Sequence, residues 1–138
     1  MRRDPKAVVC GTSPPLGILL SVACAGGNFH QGATEGGGAG SDRTALEGYL
    51  GELRRYRRPI WLTEFSCGDG AARSPEAQAA TLREAVALLE SDPDVFRYAW
   101  FSGRTEAIPN VNLLGARGEL TALGELYVSL PHAERCSP

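Results

Sequence analysis

Pro59-Ile60-Trp61-Leu62-Thr63-Glu64-Phe65, running on into Ser66-Cys67-Gly68-Asp69-Gly70, is the stretch on which the fold of this chain turns. A proline opens it, Ile, Trp, Leu and Phe fill it, and a segment rich in Gly, Ser and Asp closes it. It therefore reads as a buried β-strand entering a loop. Glu64 is the anomaly in that strand. A lone ionised carboxylate is costly to bury, so Glu64 either reaches water at the strand's end, is paired, or sits in a cleft where it is used.

The flanks of this strand carry helical signals. Upstream, Thr44-Ala45-Leu46-Glu47 has capping-box spacing, which starts a helix near Ser41 to Thr44. Leu46, Tyr49, Leu50 and Leu53 then give it one apolar face, and it must stop before Pro59. Downstream, Ser74-Pro75-Glu76 supplies a cap, a first-turn proline and an acid at the positive end of the dipole. Leu82, Ala85, Val86 and Leu89 form that helix's buried face, and Asp92-Pro93 ends it. Val95-Phe96-Arg97-Tyr98-Ala99-Trp100-Phe101 follows as a strand expected to be buried on both faces. Within it Arg97 pairs with an acid near the strand start or faces a polar centre. A last helix runs from about Thr121 to Leu130 on Leu123, Leu126, Tyr127 and Leu130. Helix, strand, helix, strand, helix in this order implies an α/β fold with a parallel sheet and right-handed crossovers.

Residues 1–40 form a poorly defined amino-terminal segment, distinct from residues 41–138. Arg2, Arg3 and Lys6 precede the apolar run Leu16 to Ala25, the outline of a secretory signal, although Asp4 and Pro14-Pro15 fit it badly. Ile18 to Ala23 reads equally as a further strand. Residues 26–40 hold Gly26, Gly27, Gly32, Gly36, Gly37, Gly38 and Gly40, too many for a stable helix or strand, and a mobile loop is expected. No GxGxxG register fits, so no nucleotide cofactor is implied.

With 14 basic and 16 acidic residues the net charge is −2, which gives no footing for nucleic acid. Arg54-Arg55-Tyr56-Arg57-Arg58 reads as the solvated end of a helix. The four cysteines form no CxxC pair, and the two histidines, His30 and His132, lie far apart in sequence, so no metal site is indicated. No apolar run reaches the roughly 20 residues of a membrane span. Cys67 follows a strand's carboxyl end and Cys136 follows the last helix. A helix of about ten residues spans roughly 15 Å, so these two are not expected to bridge each other.

Together, Ile60-Trp61-Leu62-Thr63-Glu64-Phe65 and Phe96-Arg97-Tyr98-Ala99-Trp100-Phe101 at this spacing resemble the carboxyl-terminal part of glycoside hydrolase family 128, the alkali-sensitive-linkage-like glycosyl hydrolases. The resemblance runs from about Asp42 to Leu130. It implies a (β/α)8 barrel, of which a chain of 138 residues holds about half, since a complete one needs roughly 250. It also implies that Glu64 is the catalytic nucleophile on strand seven, that the run to Phe101 is strand eight, and that Ile18 to Ala23 would be strand six with Phe29-His30 at its end. A β-1,3-glucan-like polysaccharide, and an extracellular or cell-wall location, are implied with it.

Strand alternation gives these positions a geometry. Ile60 and Leu62 are expected to point inward with Glu64, and Phe96 and Tyr98 with Trp100, leaving Trp61, Thr63 and Phe65 to the helices. Trp100 and Tyr98 are then the candidate sugar platform beside the Glu64 carboxylate; the plain alternative is Trp100 as core and Glu64 as a cap partner. Retaining glycosidases need a second carboxyl roughly 5 Å from the first. In the family it belongs to an Asn-Glu motif, and that dipeptide is missing from this sequence. Glu35, Asp69 and Glu106 are the substitutes at hand. Two functions survive: a glycosyl hydrolase whose catalytic domain is incomplete here, or a carbohydrate-binding or interaction module that keeps the aromatic site without turnover. An open sheet edge, with Ile60, Leu62, Phe96 and Tyr98 along an apolar strip, is expected to drive self-association.

Overall fold

The computed structural model describes residues 18–24, 39–67 and 74–132, the first stretch as backbone only. Phe29, His30, Glu35, Asp69, Cys10 and Cys136, together with residues 26–38 of the glycine-rich segment, lie outside the described residues, while Ala39 and Gly40, expected in that loop, open a helix.

Three parallel strands form one sheet in the order β1-β2-β3. They are β1 (Ile18–Cys24), β2 (Ile60–Cys67) and β3 (Val95–Trp100). Helix α1 (Ala39–Arg54) links the first two, α2 (Pro75–Ser91) the last two, and α3 (Ala122–Ser129) follows. Residues 18–24 are thus a strand laid against β2. The chain-order alternation and the parallel pairing are those expected, and α1 begins slightly earlier than its capping box indicated.

The caps form where the sequence places them. Ser74 Oγ accepts a hydrogen bond from Ala77 N at 3.1 Å, with Pro75 in the first turn of α2. Thr121 Oγ1 accepts from Gly124 N at 3.0 Å and starts α3. Leu46, Leu50 and Leu53 of α1, Leu82, Ala85, Val86 and Leu89 of α2, and Leu123 of α3 all enter one core. Leu50, Ile60, Leu62 and Leu82 are each 0% exposed. Each such side chain contributes about 1.5–3 kcal/mol by leaving water, and this burial, not local propensity, holds the helices to the sheet.

The face of β2 that carries Ile60 and Leu62 is the helix-packed one, and simple alternation breaks after Leu62. Ile60, Leu62 and Phe65 are all buried in the helix-packed core, whereas Trp61 and Thr63 are half-buried and Glu64 is exposed. The reason is a β-bulge in β2. Leu20 and Ser21 of β1 pair with Leu62 and Glu64, and on the other side Tyr98 and Trp100 pair with Leu62 and Phe65. Both neighbours skip a residue at the same place, so the extra residue belongs to β2, at Thr63 and Glu64. A second shift, between Ile60 and Trp61, puts an extra residue into β3 at Phe96 and Arg97.

β3 is accordingly buried on one face only. Phe96, Arg97 and Ala99 are exposed, which corrects the expectation of a strand covered on both sides. On this open face Trp61 and Phe96 stack with ring centroids 5.5 Å apart. The Arg97 guanidinium lies 5.3 Å from the Phe96 ring centre and 5.9 Å from that of Trp61. Arg97 therefore has aromatic partners and no acid among the described residues. The apolar strip expected to drive association is likewise Trp61 and Phe96, not Ile60 and Leu62.

The arginine cluster is an exposed helix end in which two of the four arginines, Arg54 and Arg55, have acidic partners. Arg54 pairs with Asp92 and, at 3.1 Å, with Asp94, and Arg55 pairs with Glu52 at 3.2 Å. Arg57 and Arg58 are exposed.

Candidate active site at the carboxyl end of the sheet

Glu64 is placed by the bulge near the carboxyl end of β2, exposed, with no hydrogen bond or ion pair among the described residues. Its neighbours along the strand are fixed: Phe65, Ser66 and Cys67 are all buried. The carboxylate thus stands on a rigid element while its oxygens meet solvent, which a nucleophile requires before substrate excludes water.

The segment after β3 folds against these strand ends. Phe101 N donates to Phe65 O at 2.9 Å, extending the β2–β3 ladder by one residue. Leu113 N donates to Ser102 O at 3.2 Å, and Leu114 N donates to Gly103 O at 2.9 Å. The Asn112 side chain accepts from Thr105 N at 2.7 Å and donates to Thr105 O at 3.0 Å, clamping the turn between them. Gln78, 0% exposed, reaches out of α2 and donates from Nε2 to Cys67 O at 2.7 Å and to Pro109 O at 3.3 Å. One buried amide thereby joins the end of β2 to the loop after β3. Gln78 was legible in principle, since it is the polar residue on the same helical face as Leu82, Ala85 and Leu89.

Trp100 and Tyr98 do not flank Glu64 as a platform. Trp100 is 5% exposed, meets Phe65 edge-on at a centroid distance of 5.2 Å, and donates from Nε1 to Val111 O at 2.9 Å. The Tyr98 hydroxyl donates to the Glu90 carboxylate of α2. Both side chains share a face with Leu62 and Phe65, as the pairing of β3 with β2 requires, and it is Glu64 that the bulge moves to the other face. Phe101, the residue after Trp100, is half-buried and stands outside the core. It is the aromatic that alternation from Trp100 places on the Glu64 side. Glu106 is exposed in the loop after β3, while Glu35 and Asp69 fall outside the described residues. Among the described residues no cluster of His, Cys, Asp and Glu is arranged to hold a metal ion, and no helix is long and apolar enough to cross a membrane.

Residues 40–127 match the glycosyl hydrolase catalytic core family, which is more than half of the chain. The chain belongs to that family. This glycosyl hydrolase core is 35% identical over 97 residues to alkali-sensitive linkage protein 1 of Schizosaccharomyces pombe, covering 65% of the chain and 18% of that protein. Among solved structures it is similar to a family 128 subgroup II endo-β-1,3-glucanase from Sorangium cellulosum, with 34% identity and a TM-score of 0.61. That match covers 86% of this chain and 41% of the glucanase. The subgroup II endo-β-1,3-glucanase from Pseudomonas viridiflava is 44% identical with a TM-score of 0.59, over 64% of this chain and 36% of its own. A glutamate-to-glutamine variant of the Amycolatopsis mediterranei subgroup I enzyme, solved with laminarihexaose, is 26% identical with a TM-score of 0.59, over 82% and 45% of the two chains. The glycosyl hydrolase core described here thus spans less than half the length of each of these relatives, and its sequence and fold are those of a family 128-like catalytic region.

Proposed function

We propose that this chain is the carboxyl-terminal portion of a (β/α)8 catalytic domain of retaining endo-β-1,3-glucanase type, in which Glu64 is the nucleophile. The observation that carries this is Glu64 itself, the exposed carboxylate at the carboxyl end of a parallel strand, within residues matched to the catalytic core family. Glucanases among its structural relatives bind laminari-oligosaccharides, and a β-1,3-linked glucan is the substrate proposed here, met outside the cell or in its wall. Glu64 attacks the anomeric carbon, the glycosidic bond breaks, and the leaving oxygen takes a proton from an acid that this sequence does not supply in the family's Asn-Glu motif. Phe101 is the proposed apolar wall beside the sugar. The carbohydrate-binding alternative loses its platform, since Tyr98 and Trp100 are committed to the helix side.

General acid catalysis contributes about 10² to 10⁴ in rate, so the chain alone should release reducing sugar from β-1,3-glucan at close to background. The nucleophile can be tested without the acid. A dinitrophenyl 2-deoxy-2-fluoro-β-laminaribioside carries a leaving group that departs unprotonated, and the fluorine slows hydrolysis of the glycosyl-enzyme. The expected result is one covalent label mapped to Glu64 and missing from Glu64→Gln. A label on another carboxylate, or labelling of both proteins, would refute the assignment. No label on a folded chain would show that these strands do not bind the sugar without the rest of the barrel.

A further inference from the structure

The open face of the sheet carries one cation without an acid and one anion without a base. Towards the amino end the Arg97 guanidinium lies over the Phe96 and Trp61 rings and meets no acid among the described residues. Towards the carboxyl end Glu64 is exposed and meets no cation among them. Arg97 is the register partner of Trp61, three residues before Glu64, so at about 3.3 Å per residue the two charges stand at levels roughly 10 Å apart along the strands. Trp61, half-buried, and Phe96, 45% exposed, make the face apolar around them. We infer that this face docks on the same face of a second copy of the chain, with strand directions opposed, so that each Arg97 meets the partner's Glu64.

A two-fold interface is self-complementary, so a contact of one residue with another is made twice. An axis lying across the strands reverses the direction of the second sheet and sets its carboxyl end over the amino end of the first. Both Arg97–Glu64 contacts then form together. An axis lying along the strands would set Arg97 over Arg97 and Glu64 over Glu64, and like charges so opposed cost several kcal/mol. Ala99 is exposed, lies two residues beyond Arg97 on the same face, and stands beside the bulge that carries Glu64. Its small side chain leaves the room that the partner's Phe96 ring needs at that level. A wholly apolar occupant would cover both charges and pair neither.

The face is small. An aromatic side chain offers about 150–250 Å², and the stacking of Trp61 on Phe96, with centroids 5.5 Å apart, already hides part of each. That falls short of the roughly 800 Å² per partner of a standard interface, so the dimer is weak, with a dissociation constant above about 1 μM. Association through the strand edges would use backbone groups of β1 and β3 and leave Arg97 and Glu64 as they are. Face docking engages both and closes at two copies. The inference stands whether or not Glu64 is a nucleophile.

The test is sedimentation velocity on the whole chain from about 5 to 200 μM. A monomer–dimer equilibrium is expected, and raising salt from about 0.05 to 0.5 M should weaken it about five-fold, because two exposed ion pairs are screened. Arg97→Glu and Glu64→Arg, each alone, oppose like charges and should weaken association at least about ten-fold. Mixed in equal amounts, the two variants should pair with each other to within about three-fold of the unsubstituted dissociation constant, since only the mixed dimer opposes unlike charges at both contacts. Single variants that associate as the unsubstituted chain does would assign association to the strand edges and overturn the inference. So would single variants that fail to pair on mixing. A chain that stays monomeric throughout overturns it as well and leaves the face to another occupant, such as further strands of a barrel. If either charge-reversed variant does not fold, Arg97→Lys keeps the cation. A carbodiimide should then join that amine to the partner's Glu64, as a cross-linked peptide uniting isotope-labelled and unlabelled copies, and failure to recover that peptide overturns the inference.

Discussion

Arg54 and Asp92 are an unequal pair, and the inequality predicts which half of it matters more. The Asp92 side chain is 3% exposed and that of Arg54 is 43% exposed. Asp92 also accepts from Asp94 N at 2.9 Å, and Asp94 O in turn accepts from Ile60 N at 2.8 Å. The pair therefore ties the end of α1 to the turn that starts both β2 and β3. Removing one partner of a fully buried pair costs about 3–5 kcal/mol, because the other charge is left in low dielectric. Water reaches Arg54, so the expectation for Arg54→Met is reduced to about 2 kcal/mol, which for a chain of this size lowers the thermal midpoint by about 7 °C. Asp92→Asn keeps an acceptor for Asp94 N and leaves Arg54 with Asp94 and solvent, so its cost is about 1 kcal/mol. With both changes no carboxylate remains to be stranded, and the double variant should be more stable than the sum of the two losses predicts, by about 1 kcal/mol. Urea titrations of the four proteins, with the slope unchanged between them, measure all three numbers. A loss from Asp92→Asn equal to or larger than that from Arg54→Met, or strict additivity, would refute the reasoning.

Gly124→Ala places a Cβ 2.2 Å from the carbonyl oxygen of Leu113, which is backbone and cannot swing away, so α3 must lift; a loss of roughly 3 kcal/mol and faster proteolysis within residues 121–132 are expected. Burial raises the ionisation of the Tyr49 hydroxyl above its usual range. The folded chain then holds that proton more tightly than the unfolded one, so the contribution is complete below about pH 10 and is lost as pH rises beyond it; Tyr49→Phe should flatten this alkaline decline in a pH series of urea midpoints. β1 and β3 each have one strand edge unpaired among the described residues, beside the Trp61 and Phe96 rings, so a second copy should add to the sheet and light scattering should show mass rising with concentration. A dilution-stable monomer with one cooperative melt would disprove that association.

What could be read from the sequence was what depends on period and punctuation. Leu82, Ala85, Val86 and Leu89 share a face because a helix repeats every 3.6 residues, and Ser74-Pro75 and Thr121 start helices because their side chains and ring suit the first turn. The parallel order followed from alternation of element types. Residues 18–24 could be read two ways, since an apolar run of that length serves a signal or a strand equally; their pairing with β2 is a tertiary fact. Gln78, Trp100 and Tyr98 were misread or missed for a related reason. Whether a buried polar group closes a loop or an indole faces a sugar depends on a partner such as Pro109 O or Val111 O, which no local pattern announces.

The bulge shows why one inserted residue outweighs the composition of the strand. Strict alternation would set Glu64 on the face of Ile60 and Leu62, which are 0% exposed among the leucines of α1 and α2. A carboxylate there would have to be neutralised or paired at a cost of several kcal/mol. The described residues of that core provide no ion pair for it. With one extra residue at Thr63 and Glu64, Phe65 takes the core position and the carboxylate emerges on the open side. Trp100 stays inward opposite Phe65, so the carboxylate that strict alternation would have set on its face is carried away from it. The anomaly visible in the sequence, a charge in an apolar strand, was therefore real. Its resolution lay in the backbone, where a local break in the ladder lets a strand be fully buried and still present one charged group to solvent.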